Sequence, residues 1–187
     1  PLLPLEPGAI DPPEMSASLR ARRAEERLFI DQLLGLAGAT PPKYAMPLVL
    51  DAALRPYQQA GVDWLAFLRR FGLHGILCDD MGLGKTLQTL CVLAAAAHER
   101  RSLALACARE GRVAPPPLPS LVVCPTSLTG HWIAEVTKFC SGRLEAIEYA
   151  GTAAQRSRLL PRISSHELVI VSYETLRSEI GHFGQMQ

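Results

Sequence analysis

Residues 74–88 read HGILCDDMGLGKTLQ. A short apolar run at 74–78 meets a loop holding Gly82 and Gly84, and Lys85-Thr86 then opens a long apolar stretch. Strand, glycine loop and helix, in that order, are what a phosphate-cradling turn requires. Gly-Lys-Thr alone arises by chance in roughly one chain in ten of this length, and the added Gly82 takes that below about one in a hundred. Glycines let successive N–H groups converge on one point, and a helix N-terminus adds partial positive charge there. Lys85 can reach the β- and γ-phosphates of a nucleotide, and the Thr86 hydroxyl can ligate Mg2+. The alternative is a tight strand-to-helix turn that happens to contain Lys and Thr. One position departs from the pattern G-x-x-x-x-G-K-[ST], which has glycine where this chain has Asp79. A carboxylate aimed into the cradle would repel phosphate, so Asp79 and Asp80 are expected to turn outward or to bind neighbouring N–H groups.

Working outward from the loop, the chain alternates short apolar runs with helical stretches. Upstream, a helix is expected from Tyr57 to about Arg70, with Val62, Leu65, Ala66 and Leu68 beside Trp64 and Phe67. Downstream, a helix runs from Lys85 to about Arg100. The strand SLVVC (120–124) follows, then a turn at Pro125, a helix from about Thr129 to Phe139, the alternating LEAIEY (144–149), a helix near 152–160 and the strand ELVIVS (167–172). Strands of four to six residues alternating with helices imply βαβ units: an α/β fold whose parallel sheet is covered on both faces, with right-handed crossovers. SLALACAREGRVAPPPLPS (102–120), with its proline run, reads as a surface insertion. Before the lobe, residues 1–15 read as an extended lead-in, 16–34 as an amphipathic helix and 38–47 as a linker. The arginines of that first helix fit a solvated face laced with opposite charges, or a nucleic-acid contact. The expected organisation is therefore a lead-in at 1–47 and an α/β lobe at 48–187.

Bulk properties narrow the classes. Hydrophobic residues make up 48% and charged residues 20% of the 187, ordinary for a globular protein. Nineteen Lys+Arg against 18 Asp+Glu leave a net charge of +1, so any nucleic-acid contact must be a local patch. The five cysteines are widely spaced, without the close pairing of a zinc or redox site. Cys78, Cys91, Cys124 and Cys140 have apolar neighbours and read as small buried hydrophobes in a reducing compartment. No apolar run approaches the ~18 residues of a membrane span, and the start PLLPLEPG lacks the features of a signal peptide. The chain begins on Pro and ends in mid-pattern, so it is expected to be part of something longer.

DDMGLGKT closely resembles the signature of the SNF-type (SWI/SNF-related) DNA-translocating ATPases of helicase superfamily 2, and three further segments match that family in order. LRPYQQAGVDWL (54–65) resembles its Q motif, LVVCPTSLTGHWIAEVTKF (121–139) its motif Ia and LVIVSYETLR (168–177) its motif Ib. The resemblance covers nearly the whole chain and extends to the subfamily associated with TATA-binding protein. It implies the first RecA-like P-loop lobe of a motor, present here in part, with ATP and Mg2+ as cofactors and a nuclear location. It implies Gln58 at the adenine edge, and Met81, Gly82, Leu83, Gly84, Lys85, Thr86 and Leu87 around the phosphates, Thr86 on Mg2+. It further implies Pro125, Thr126, Ser127, Leu128, Trp132, Ser172 and Tyr173 on the backbone of double-stranded DNA. TATA-binding protein would be a partner through regions outside this chain.

Each of these residues has a plainer reading as well. Gln58 could face solvent, Trp132 could pack its helix on the sheet, Thr126 and Ser127 could cap the next helix, and Tyr173 could be core. Hydrolysis also needs an acid pair at the end of a neighbouring strand, which the family keeps in an Asp-Glu box; this chain has no Asp-Glu dipeptide, and Glu174 lies two residues past its strand. The chain by itself is thus expected to bind nucleotide without turnover, while the intact protein hydrolyses ATP, moves along DNA and displaces TATA-binding protein from it. The rival readings are a non-enzymatic ATP- or DNA-binding module and an unrelated P-loop NTPase or kinase.

Overall fold

The computed structural model describes residues 43–116 and 118–184, together with Arg20, Arg23, Ala24, Arg27, Phe29, Ile30 and Asp31. Those seven early residues are helical, within the helix expected at 16–34; the rest of that helix, the lead-in at 1–15 and the start of the linker lie outside the described residues. The chain divides into two units, Pro1–Pro42 and Lys43–Gln187. In the second unit the helices are α1 (Pro56–Arg70), α2 (Lys85–Arg109), α3 (Thr129–Cys140), α4 (Ala153–Leu159), α5 (Tyr173–Ser178) and α6 (Ile180–Phe183). The strands are β1 (Ser120–Cys124), β2 (Ala146–Tyr149) and β3 (Leu168–Ser172), with 3-10 turns at Thr126–Leu128 and Leu160–Ser165.

The sheet has the order β1-β3-β2 and both pairings are parallel. β3 lies in the middle, and all five of its residues are buried because both faces are covered. Leu168 and Ile170 point to one face, where they meet Leu90, Ala94 and Ala97 of α2 and Val136 and Cys140 of α3. Val169 and Val171 point to the other, against Ile147, Tyr149 and Ile163. The register sets Cys124 beside Ser172, so the segments leaving β1 and β3 emerge next to each other. A third cluster, Val62, Leu87 and Cys91, joins α1 to α2 and takes in Tyr44, Met46, Leu50 and Leu54. Residues 43–47, read as linker, thus pack with the lobe. The main-chain N–H of Tyr44 donates to Asp63 Oδ1 (2.8 Å) and its hydroxyl to Glu99 Oε1 (2.9 Å).

Two expectations need correction. Residues 74–78 form no strand, and Ile76 is 83% exposed. A strand exists only by pairing, and among the described residues no strand pairs with this segment. Cys78 is therefore exposed, whereas Cys91, Cys107, Cys124 and Cys140 are buried. Burial pushes the Cys91 thiol up to about 12 and that of Cys140 up to about 11. The second correction concerns 102–120: α2 continues to Arg109, so the first half of the expected insertion is helix. SLALACAR is rich in helix-favouring Ala and Leu, and only the Gly111 and proline stretch breaks the run.

Candidate nucleotide-binding site

The loop between residue 78 and α2 turns on two left-handed glycines, Gly82 (φ 82°) and Gly84 (φ 81°). Gly84 is the N-cap of α2. Lys85, Thr86 and Leu87 form the first helical turn, whose N–H groups have no partner inside the helix. The Leu87 side chain is buried against Val62 and Cys91, so only its main chain can serve a ligand at the loop. Met81 is 96% exposed at the rim.

Lys85 Nζ donates to the carbonyls of Asp79 (2.6 Å) and Asp80 (2.9 Å). The ammonium thus sits among main-chain oxygens of its own loop, against which a phosphate oxygen carrying formal charge is the stronger acceptor. The Asp79 carboxylate turns toward the protein, where Gln88 Nε2 donates to its Oδ2 (2.9 Å). Its partner is thus a side-chain amide and not a main-chain N–H.

Gln58 does not face solvent; it is 8% exposed. Its Oε1 accepts from Arg55 N (2.9 Å), and its Nε2 donates to the carbonyl of Leu83 (3.1 Å). The side chain therefore ties the start of α1 to the glycine loop. A Cβ on residue 84 would stand 2.5 Å from Gln58 Nε2, so the close approach needs a glycine there. The arrangement fits a triphosphate: glycine backbone in the left-handed region, free first-turn N–H groups and one ammonium. For Mg2+ the Thr86 hydroxyl offers a hard oxygen at the same turn. Among the described residues no group of three or more His, Cys, Asp or Glu could hold a metal ion.

The residues expected on DNA gather where β1 and β3 end. Pro125, Thr126, Ser127 and Leu128 are exposed, and Tyr173 is 57% exposed and so is not core. Ser172 is 5% exposed, and its hydroxyl caps α5 by accepting from Thr175 N (3.1 Å). Trp132 is half-buried and packs on the cluster between α2, α3 and the sheet. α3 has no side-chain cap. Thr126 Oγ1 instead donates to Glu174 Oε2 (3.1 Å), joining the two segments. Glu174 is exposed, and hydrogen bonds from the main chain at its own position, from Ser172 and from Thr126 hold its carboxyl below the usual range.

Residues 57–187 match the model of the SNF2-related domain. The chain belongs to this family. The SNF2-related chain is 50% identical over 183 residues to human TATA-binding protein-associated factor 172, covering 97% of this chain and 10% of that protein. It is 42% identical over 179 residues to TATA-binding protein-associated factor MOT1 of Saccharomyces cerevisiae, covering 96% and 9%. It therefore spans about a tenth of the length of these curated relatives. Among solved structures, the Sulfolobus solfataricus SWI2/SNF2 ATPase core in complex with dsDNA superposes with a TM-score of 0.55 at 31% identity, over 71% of this chain and 24% of that one. The parallel sheet and its helices are accordingly part of the RecA-like lobe of a SWI2/SNF2 ATPase core.

Two residues packed behind the loop of the SNF2-related chain lie outside the set expected from its sequence. Gln88 ends the 74–88 stretch among Leu87, Leu90 and Cys91, and only that apolar setting marks it. Gly61, in α1, faces it: a Cβ there would lie 1.8 Å from Gln88 Oε1.

Proposed function

We propose that this chain is the nucleotide-binding part of the first lobe of an ATP-dependent double-stranded-DNA translocase that works in the nucleus. The observation that carries the reading is the loop itself, with Gly82 and Gly84 left-handed and Lys85 Nζ within 2.9 Å of two loop carbonyls. Bound Mg2+-ATP would supply the phosphoanhydride whose cleavage drives the motor. The chain's own residues would bind and orient it: first-turn N–H groups and Lys85 would hold the phosphates, and Thr86 would offer its hydroxyl to the metal. Gln58, which ties α1 to the loop, is the candidate for the adenine edge. Pro125, Thr126, Ser127, Leu128, Trp132, Ser172 and Tyr173 form or support the surface that tracks the DNA backbone, without reading sequence. TATA-binding protein is the proposed displaced cargo, consistent with the names of the relatives. Its contacts and the remaining catalytic groups belong to other parts of the intact protein.

Calorimetric titration of Mg2+-ATP and an ATPase assay with and without duplex DNA test this reading on the full-length protein. Lys85→Ala should lower nucleotide affinity by about 30-fold or more, as the loss of a charge-assisted contact of about 2–3 kcal/mol implies. Turnover should rise on adding duplex DNA and vanish in the variant. Turnover indifferent to DNA would favour a P-loop kinase or generic NTPase instead, and undiminished turnover in Lys85→Ala would remove the role given to the lysine. The isolated chain should bind nucleotide and show no turnover.

A further inference from the structure

Asp79 stands where a phosphate-binding loop of this pattern carries glycine, and no carboxylate belongs beside a triphosphate unless something restrains it. Gln88 supplies the restraint. Its side chain is fully buried, and its Nε2 donates to Asp79 Oδ2 at 2.9 Å. The other end of the amide is unusual, because the buried Oε1 has no hydrogen-bond partner. An apolar side chain would fill this position without leaving a buried acceptor unmet, so the amide is there for what its nitrogen does. Rotating the amide would bring Oε1 against the carboxylate, so Asp79 fixes its orientation. Oε1 then rests against Gly61 of α1, at a distance that leaves no room for a Cβ.

Asp79 is held at two points. Its carbonyl receives Lys85 Nζ, and its carboxylate receives Gln88. A nucleotide that draws Lys85 away releases the first bond and leaves the second, so the Gln88 bond alone keeps the negative charge inside the protein when phosphate arrives. We propose that Gln88 is a positioning residue for nucleotide binding, holding the Asp79 carboxylate back from the phosphate cradle in a slot that exists because residue 61 is glycine. The inference rests on the nucleotide-binding reading of the loop and adds to it the residue pair that makes an acidic loop tolerate an anion.

The test is a double-mutant cycle on the full-length protein, with a non-hydrolysable ATP analogue titrated by calorimetry. Gln88→Leu frees the carboxylate and should weaken binding by about tenfold or more, with the loss shrinking at high salt as repulsion is screened. Asp79→Asn should bind at least as tightly as wild type, because Asn Oδ1 still accepts from Gln88 and carries no charge. In Gln88→Leu/Asp79→Asn the loss should disappear, which a merely structural role for Gln88 would not produce. Gly61→Ala, which pushes Oε1 from its slot, gives the same phenotype and the same rescue, and serves if Gln88→Leu does not fold. Unchanged affinity in the folded single variants, or a loss that Asp79→Asn leaves in place, overturns the proposal. Wild-type protein that binds no nucleotide would overturn the loop reading as well, so the two failures are distinguishable.

Discussion

Gly82 and Gly84 share a backbone conformation and differ in their surroundings, and the difference separates two effects at single-residue scale. Both lie at φ near +80°, where an L side chain costs about 1–2 kcal/mol. A Cβ on Gly82 meets nothing within 4 Å, whereas one on Gly84 stands 2.5 Å from Gln58 Nε2 and would displace it from the Leu83 carbonyl. Gly84→Ala should therefore be the more destabilising of the two by at least about 1 kcal/mol, the typical net value of a lost hydrogen bond. Urea unfolding of the two variants measures this directly, and equal losses would mean that Gln58 does not tie the loop. Gln58, Lys85 and Thr86 were legible as candidates because they fall in short, ordered segments around a loop of recognisable chemistry. Gln88 was not, because its partners Asp79 and Gly61 are brought to it only by folding.

At the scale of elements, periodicity was a good guide wherever the neighbours that bury a segment are close at hand. β1 spans the residues expected of it, and β3 and α3 fall within a residue or so of their expected bounds, since apolar runs and turn residues bracket them. Residues 74–78 have the same apolar texture, but a strand depends on a partner elsewhere in the chain that local pattern does not reveal. The loops leaving β1 and β3 show a further non-local effect, for the Thr126–Glu174 bond sets an exposed carboxylate within the proposed DNA surface. Glu174→Gln keeps the shape and an oxygen for Thr126 while removing the charge. Duplex affinity should rise by about two- to fivefold at low salt, the range of an exposed charge interaction, and the gain should fade as ionic strength grows. Fluorescence anisotropy at two salt concentrations checks it, and an affinity indifferent to the change would move the DNA path away from these strand ends.

Over the whole lobe, ion-paired ties fasten outer segments to the sheet and to the helices, and they make stability depend on pH at both ends. The Tyr149 hydroxyl from β2 donates to Glu179 Oε2, and Arg156 Nε from α4 donates to Glu179 Oε1 at 2.5 Å. Tyr149 also meets Phe183 of α6 edge to face, with centroids 5.4 Å apart. The hydrogen bond from Tyr149, with help from Arg156, holds the Glu179 carboxyl below its usual range, and burial with Glu179 pushes Tyr149 up to about 12. A second tie repeats the pattern at residues 43–47, where Arg69 first and Tyr44 next hold Glu99 low, while burial and Glu99 raise Tyr44 to about 12. A depressed carboxyl contributes stability that is present above its unfolded value of about 4.3 and is lost as pH falls through the folded one. A raised phenol contributes stability that is present below about 10 and is lost as pH climbs toward its folded value. Melting temperature should thus be level between roughly pH 5 and 8 and decline on both sides, the buried Cys91 and Cys140 thiols adding to the alkaline loss. Tyr149→Phe should reduce stability near neutrality by about 2 kcal/mol, the usual worth of a hydrogen bond to a charged group. Because protonating Glu179 removes that bond's advantage in wild type as well, the gap between the two proteins should narrow as pH falls below about 4. Chemical unfolding at pH 7 and at pH 3 reads the gap, and one that stays the same at both would show that the hydroxyl acts by packing alone and not through the carboxylate.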